Sequence, residues 1–122
     1  MKDKGELDEA LKRYENALQI DEQLGDLSGK AIRLNNIASI HYAQRDYLEA
    51  LTYFQESLSI LERLKEAPNI ALCFWWIGAI YGKLNDTAKA LKNFESALEI
   101  YEQLGLENRI QQVREVISDL KS

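Results

Sequence analysis

Cysteine and proline are nearly absent from this chain, which contains one of each among its 122 residues. One cysteine, Cys73, cannot form an intramolecular disulfide, which excludes a small secreted scaffold held together by disulfides. One proline, Pro68, leaves the stretches on either side free to form helices. No segment alternates apolar and polar residues over enough positions to predict a strand. The sequence therefore predicts an all-α fold.

An excess of basic residues is also absent, because 15 Lys and Arg stand against 20 Asp and Glu, for a net charge of −5. Binding to nucleic acid needs a basic patch, and none is visible. The most apolar stretch, residues 68–84, contains Lys83 and is too short for a convincing membrane span. The N-terminal stretch lacks the apolar core of a signal peptide. We therefore expect no nucleic-acid partner, no membrane partner and a cytoplasmic location.

A 40-residue period runs through the chain without a gap. In each copy a small residue stands four positions before an aromatic residue, and another small residue stands three positions after that aromatic residue. These positions share one face of a helix, where small residues let a neighbouring helix approach and the ring fills the space beside them. The pattern predicts that this face is buried. Its members are Ala10, Ala50 and Ala90; Tyr14, Phe54 and Phe94; and Ala17, Ser57 and Ala97.

Each period contains two helical patterns that are separated by turn signals. The sequence predicts about six helices in antiparallel pairs within one domain, residues 1–122. A turn signal at Gly5 and Glu6 precedes a half repeat at 7–25, which is followed by repeats at 28–65 and 68–105 and by a C-terminal capping helix at 107–121. Gly25 and Gly105 are expected to end their helices in the left-handed conformation.

The repeated positions resemble the signature of the tetratricopeptide repeat family, in its variety with a 40-residue period. The resemblance covers about residues 5–105 and implies an α-solenoid of antiparallel helix pairs that forms a right-handed superhelix. The residues that carry it are Leu34, Ile37, Ala38, His41, Ala50, Phe54 and Ser57 in one copy, and Phe74, Ile77, Gly78, Tyr81, Ala90, Phe94 and Ala97 in the next.

The same resemblance implies where a protein partner binds. In tetratricopeptide arrays the first helix of each pair lines a concave groove that takes a peptide or an amphipathic helix. The basic clamp by which some members hold a C-terminal carboxylate is not matched here. We expect Trp75 and Trp76 to differ in exposure, with at least one facing the groove. The implied groove residues are Ile32, Asn35, Asn36, Ser39, Tyr42, Ala43, Leu72, Trp75, Trp76, Ala79 and Lys83, followed by Gln112, Glu115, Val116 and Asp119 on the last helix.

Residues with catalytic potential are few. His41 is the single histidine and lies at a core-facing position, where a packed ring is expected, and Cys73 is expected to be a small buried residue. No phosphate-binding loop, metal-ligand spacing or nucleophile elbow is present in the sequence. The sequence therefore predicts a protein that is not an enzyme and that has no cofactor and no metal.

The N-terminal helix is a second candidate surface. Its broad apolar face can be covered only in part by the following helix, and contiguous exposed apolar area tends to mark an interface. The candidate residues for self-association, in a possible homodimer, are Leu7, Leu11, Tyr14 and Leu18. Two hypotheses therefore stay open: a scaffold that binds a peptide in its groove, and a self-associating structural module or a fragment of a longer array.

Overall fold

The computed structural model describes residues 4–122, and this part of the chain contains six α-helices and no strand. The predicted all-α fold with about six helices is confirmed. Residues 1–3 of the predicted domain lie outside the described residues. The helices are α1 (Lys4–Leu24), α2 (Leu27–Ala43), α3 (Tyr47–Leu64), α4 (Ala67–Lys83), α5 (Thr87–Leu104) and α6 (Glu107–Lys121).

The predicted start of α1 is wrong by at least three residues, because Gly5 and Glu6 lie within the helix and not in a turn before it. A glycine is tolerated in the first turn, where the backbone N–H groups have no helical partner in any case. Glu6 stands beside the positive end of the helix dipole, which also favours helix at this point. The other bounds of the predicted segments, at 25, 28, 65, 68, 105, 107 and 121, lie within one residue of the observed helix ends.

One turn type connects the helices. Gly25, Arg45, Lys65, Asn85 and Gly105 all have φ between 58° and 70°, so a left-handed residue recurs at regular intervals, twice in each period. At four of these turns the following N–H donates to the carbonyl five residues back, the bond that closes a Schellman motif. Glycine is present at two of the five positions, so the other three accept the strain of a side chain at positive φ. The four bonds join Asp26 to Asp21, Asp46 to His41, Asp86 to Tyr81 and Leu106 to Tyr101.

The chain divides into two compact units, of which the first ends at Leu64 and the second is Lys65–Ser122. Each unit contains three helices that pack in sequence, α1 on α2 and α2 on α3 in the first, and α4 on α5 and α5 on α6 in the second. The single domain therefore stays a prediction.

The cores of both units are built on the repeated face. In the first unit Phe54 is fully buried, and the Ser57 hydroxyl donates to the Ala31 carbonyl at 3.0 Å. In the second unit a Cβ added to Gly78 would lie 3.0 Å from the Phe94 ring, so the ring occupies the space that the missing side chain leaves. The core cluster of the second unit is Ala71, Ala90, Phe94, Ala97, Tyr101, Ile110 and Val113.

Candidate functional site

Two adjacent tryptophans on α4 differ in what they contact. Both side chains are half-buried. Trp75 packs against the core cluster of the second unit, with its ring 6.1 Å from that of Phe94 in an edge-to-face arrangement. Trp76 meets Trp75 edge to face, with ring centroids 5.2 Å apart. Trp75 is therefore positioned by the core cluster, and Trp76 packs against Trp75.

An open pocket of about 490 Å³ lies between α4 and α6, inside the second unit. Leu72, Trp75 and Trp76 form its α4 side, and Val116 adds an apolar surface on the α6 side. The remaining lining residues are Arg109, Gln112 and Glu115 of α6. An apolar wall opposite a few polar groups, in a space of this size, is typical of a ligand site.

The polar side of the pocket is a row along α6. Arg109, Gln112 and Glu115 are spaced three residues apart, and all three are exposed. Gln111 donates weakly to the Glu115 carboxylate at 3.5 Å, whereas Arg109 forms no ion pair with any residue of the described range 4–122. Burial raises the pKa of the Tyr101 hydroxyl, and the nearby Arg109 charge acts in the opposite direction. The row thus runs from a positive charge to a negative one.

Two predicted groove residues of α4 lie away from this pocket. Ala79 packs against the core cluster, and Lys83 is exposed beyond the lining residues. On α6, Asp119 is likewise exposed and does not line the pocket. The pocket therefore brings together three of the predicted α4 residues with three of the predicted α6 residues.

The predicted groove residues of α2 belong to the first unit and are described by themselves. Ile32 is 43% exposed, and Ala43 is exposed as well. The Ser39 hydroxyl donates to the Asn36 carbonyl of its own helix at 2.9 Å. Tyr42 packs edge to face on Tyr47, and burial raises the pKa of its hydroxyl. The half-buried members are Asn35, Asn36, Ser39 and Tyr42.

Arg109 is the pocket residue that the sequence reasoning missed. It lies three residues before Gln112 and therefore on the same helical face, which is a signal that the sequence does contain. The predicted row began at Gln112, one turn too late.

The candidate residues for self-association on α1 are all half-buried: Leu7, Leu11, Tyr14 and Leu18. The repeated face is less buried on α1 than on α3. Ala50 and Phe54 of α3 are fully buried, whereas the equivalent Ala10 and Tyr14 are only partly covered. Asp21 is the one buried residue of α1. The helix therefore keeps an apolar face that nothing in the first unit covers completely.

The single histidine and the single cysteine of the chain lie in different units. The His41 ring stacks on Tyr53 at 5.4 Å, and its Nδ1 lies 3.7 Å from the Asp46 carboxylate without forming a hydrogen bond. Cys73 is buried in the second unit. Among residues 4–122 no cluster of His, Cys, Asp and Glu could hold a metal ion, and no helix is long and apolar enough to span a membrane.

Helix pairs that recur with the 40-residue period define a helical repeat protein. The pocket lies between the first helix of one pair, α4, and the equivalent helix of the next period, α6. The family described as Tetratricopeptide repeat matches residues 2–62 and 30–103. The chain belongs to the tetratricopeptide repeat family. Domains of this family generally mediate protein–protein interactions.

Two solved structures share the fold. BtubC (BKLC) from P. vanneervenii is similar with a TM-score of 0.71 and 21% identity over 96% of this chain, which spans 57% of the length of that structure. The N-terminal domain of stress-induced protein-1 (STI-1) from C. elegans is similar with a TM-score of 0.67 and 13% identity, over 95% of this chain and 98% of the other. No curated protein sequence matches significantly.

Proposed function

We propose that the chain is a non-catalytic interaction scaffold whose α4–α6 pocket binds a peptide or an amphipathic helix of a protein partner. The observation that carries this proposal is the pair of indoles, which with Leu72 and Val116 form an apolar surface in an open pocket of about 490 Å³. Tryptophan is enriched among the residues that dominate binding energy in interfaces. The cytoplasmic location stays a prediction.

Trp76→Ala is expected to weaken binding of a peptide selected from a random 12-residue library by about tenfold or more, since it removes the indole that lines the pocket without holding the core. Leu104→Ala is the matched control, because Leu104 is 42% exposed in the same unit and outside the pocket. Affinity is measured by titration calorimetry, and the melting temperature of each variant by circular dichroism. The indole N–H signals in a heteronuclear NMR spectrum show which tryptophan the peptide contacts.

Two results would contradict this proposal. One is a selection in which no peptide is enriched on the parent chain over the Trp76→Ala variant. The other is complete shielding of both indoles from a soluble fluorescence quencher, because a binding surface must be open to its partner.

A second proposal concerns the face of α1, which we propose is covered by α1 of a second copy in a two-fold homodimer. The observation that favours it is the exposure of large apolar residues on the side of α1 that carries Ala10 and Ala17, 55% for Ile20 and 76% for Leu24. These two continue the line of Ala10 and Ala17 with spacings of three and four residues, which makes one continuous stripe along the helix. This side adjoins Tyr14 but is turned away from Leu7, Leu11 and Leu18, so of the predicted self-association residues only Tyr14 borders the proposed contact.

A two-fold contact fits this stripe better than contact with α6 of a second copy. On α6 the positions equivalent to Leu34 and Ala38 carry Arg114 and Ser118, and Arg114 is paired with Glu102 at 2.8 Å. Burying such polar groups against the apolar stripe costs free energy. In a two-fold pair, apolar surface meets apolar surface.

Leu24→Lys is expected to shift the dimer toward monomer, with the dissociation constant raised about tenfold or more, because it places a charge in the contact. Leu48→Lys is the matched control, since Leu48 is 70% exposed on α3 and lies off the stripe. Both are measured by sedimentation equilibrium between ~5 and ~500 µM, a range set by the weak dissociation constants of small interfaces. A parent chain that remains monomeric throughout, or a control that dissociates equally, overturns the dimer.

A further inference from the structure

We infer that α1 is a detachable helix, which leaves α2 and returns to it as a unit while α2 and α3 stay packed on each other. This motion goes beyond both of the proposed binding functions. It follows from the way in which α1 is held, by one neighbouring helix and through charged side chains where the equivalent contact of the second unit is apolar.

Within residues 4–122, α2 is the helix against which α1 packs. The apolar stripe on one side of α1 is uncovered, as the 76% exposure of Leu24 shows. On another side, an open groove of about 440 Å³ lies between α1 and Tyr53 of α3, with Ile37 of α2 in its lining. Its α1 residues are mostly polar: Lys12, Glu15, Asn16, Leu18, Gln19 and Glu22. The position of α1 therefore depends on its contact with α2.

The contact between α1 and α2 is ionic at the C-terminal end of α1. Asp21, the one buried residue of α1, faces Arg33 with 3.5 Å between Oδ2 and Nε, and neither of these buried atoms has a hydrogen bond. Beside this pair, Glu22 lies 3.6 Å from Nζ of Lys30. A buried ion pair without full hydrogen bonding repays little more than its desolvation cost. Because both charges regain water when α1 leaves, this end of the contact holds α1 only weakly.

The equivalent contact in the second unit is apolar. Tyr101 of α5 and Val113 of α6 stand at the positions equivalent to Asp21 and Arg33. Both belong to the core cluster, and they are 3% and 1% exposed. Burial of apolar side chains gains free energy without the desolvation cost of a charge. We therefore expect α6 to leave α5 far less often than α1 leaves α2.

Gly29 of α2 makes room for the buried carboxylate. A Cβ added at Gly29 would lie 2.9 Å from Oδ1 of Asp21 and 2.5 Å from Oδ2 of Asp26. Any other residue at this position displaces Asp21 from its place beside Arg33. The glycine therefore provides a way to loosen the contact of α1 without changing either member of the ion pair.

Contacts that do not involve α1 join α2 to α3. The Ser57 hydroxyl of α3 donates to the Ala31 carbonyl of α2 at 3.0 Å. Near the other end of α2, the His41 ring stacks on Tyr53 of α3 at 5.4 Å. Segments with few buried apolar contacts open at a lower free energy than the core of the same protein. The release of α1 is therefore a partial opening that leaves the α2–α3 pair folded.

Hydrogen exchange of the backbone amides, followed by mass spectrometry of peptides from each helix of the full chain, measures this release. The slowest amides of α1 are expected to exchange about tenfold faster, or more, than the slowest amides of α3 and of α6. Helix α6 is the control, because it too packs on one helix of its unit. The exchange is followed at about 5 µM and about 200 µM, since a dimer through α1 slows its exchange only when it forms.

Two variants move the exchange of α1 in opposite directions. Asp21→Leu together with Arg33→Val replaces the ion pair by an apolar contact and is expected to slow the exchange of α1 about fivefold. Gly29→Ala is expected to speed it about fivefold, because the added Cβ displaces Asp21. Gly82→Ala is the matched control, since a Cβ there would have no atom within 4 Å, and it is expected to leave the exchange of α1 unchanged.

Three results would overturn the release of α1. The first is exchange of α1 as slow as that of the slowest α3 amides at the lower concentration. The second is exchange of α6 as fast as that of α1, which would reduce the effect to the ends of the chain. The third is exchange of α1 that the double variant leaves unchanged. Slower exchange of α1 at the higher concentration alone supports the proposed dimer and agrees with release from the monomer.

Discussion

Phe94→Ala is expected to lower the free energy of unfolding by about 3–5 kcal/mol, and Phe54→Ala by a similar amount. Phe54 is fully buried and Phe94 is 3% exposed, so each truncation removes a ring from the centre of its unit. Part of the loss is the lost transfer free energy of the ring, and the rest is the cavity that the helices cannot close. The cavity at Phe94 would border Gly78, which has no side chain to move into it.

Urea denaturation followed by circular dichroism measures this loss, with Tyr14→Ala as the matched control. Tyr14 has the equivalent position in the period but is only half-buried, so its truncation is expected to cost clearly less, about 1–2 kcal/mol. Comparable costs for all three truncations would show that the α1 face is as well packed as the cores, against the burial described above.

The contact between Gly78 and Phe94 can be tested separately with a double-mutant cycle. A Cβ at Gly78 would stand 3.0 Å from the ring, so Gly78→Ala is expected to gain little or to destabilise in the parent chain. In the Phe94→Ala background the ring is gone, and the same substitution is expected to stabilise by about 1 kcal/mol, the usual advantage of alanine over glycine inside a helix. Equal effects in both backgrounds would contradict the contact.

Asp21→Ala is expected to destabilise the first unit by about 1–3 kcal/mol, a larger effect than an acidic residue of a surface helix normally has. The Asp21 carboxylate is buried between α1 and α2, 3.5 Å from Nε of Arg33, and neither facing atom has a hydrogen bond within the described structure. Removing one member leaves the other charge in a place where water reaches it poorly. Because the Arg33 side chain is 34% exposed, the cost falls below that of a fully buried pair.

The chain itself supplies the replacement that should be tolerated. Residues at the positions equivalent to Asp21 are Leu61 and Tyr101, and Val113 is equivalent to Arg33. The double variant Asp21→Leu, Arg33→Val is therefore expected to recover the parental stability or to exceed it by about 1 kcal/mol, since a well-packed apolar pair often equals a buried ion pair.

Chemical denaturation of the two single variants and the double variant gives the coupling free energy of the pair. The exposed pair Arg13–Glu9 is the control, because its side chains are 76% and 66% exposed and Glu9→Ala is expected to change stability by less than about 1 kcal/mol. Additive effects of Asp21→Leu and Arg33→Val would mean that the two groups do not interact in the folded chain.

The sequence by itself determined the helices and the residues that face the core. A helix is stabilised by contacts three and four residues apart, so the spacing of Ala50, Phe54 and Ser57 already contains its apolar face. The 40-residue period then predicts the same face in each copy, and the burial of Phe54 and Phe94 follows it. The period also predicts that a repeat ends at 65, although the left-handed conformation of Lys65 has no local signal without glycine.

Only the tertiary structure decided how each face is used. Asp21 looks like a solvated acidic residue in the sequence, and it is buried because α2, the next helix along the chain, brings Arg33 to it. The pocket itself exists because α4 and α6, which occupy equivalent places in successive periods, stand side by side in the second unit. Burial and pocket lining depend on which helices become neighbours. That choice depends on packing between residues that are far apart in the sequence, and a local pattern contains no information about such contacts.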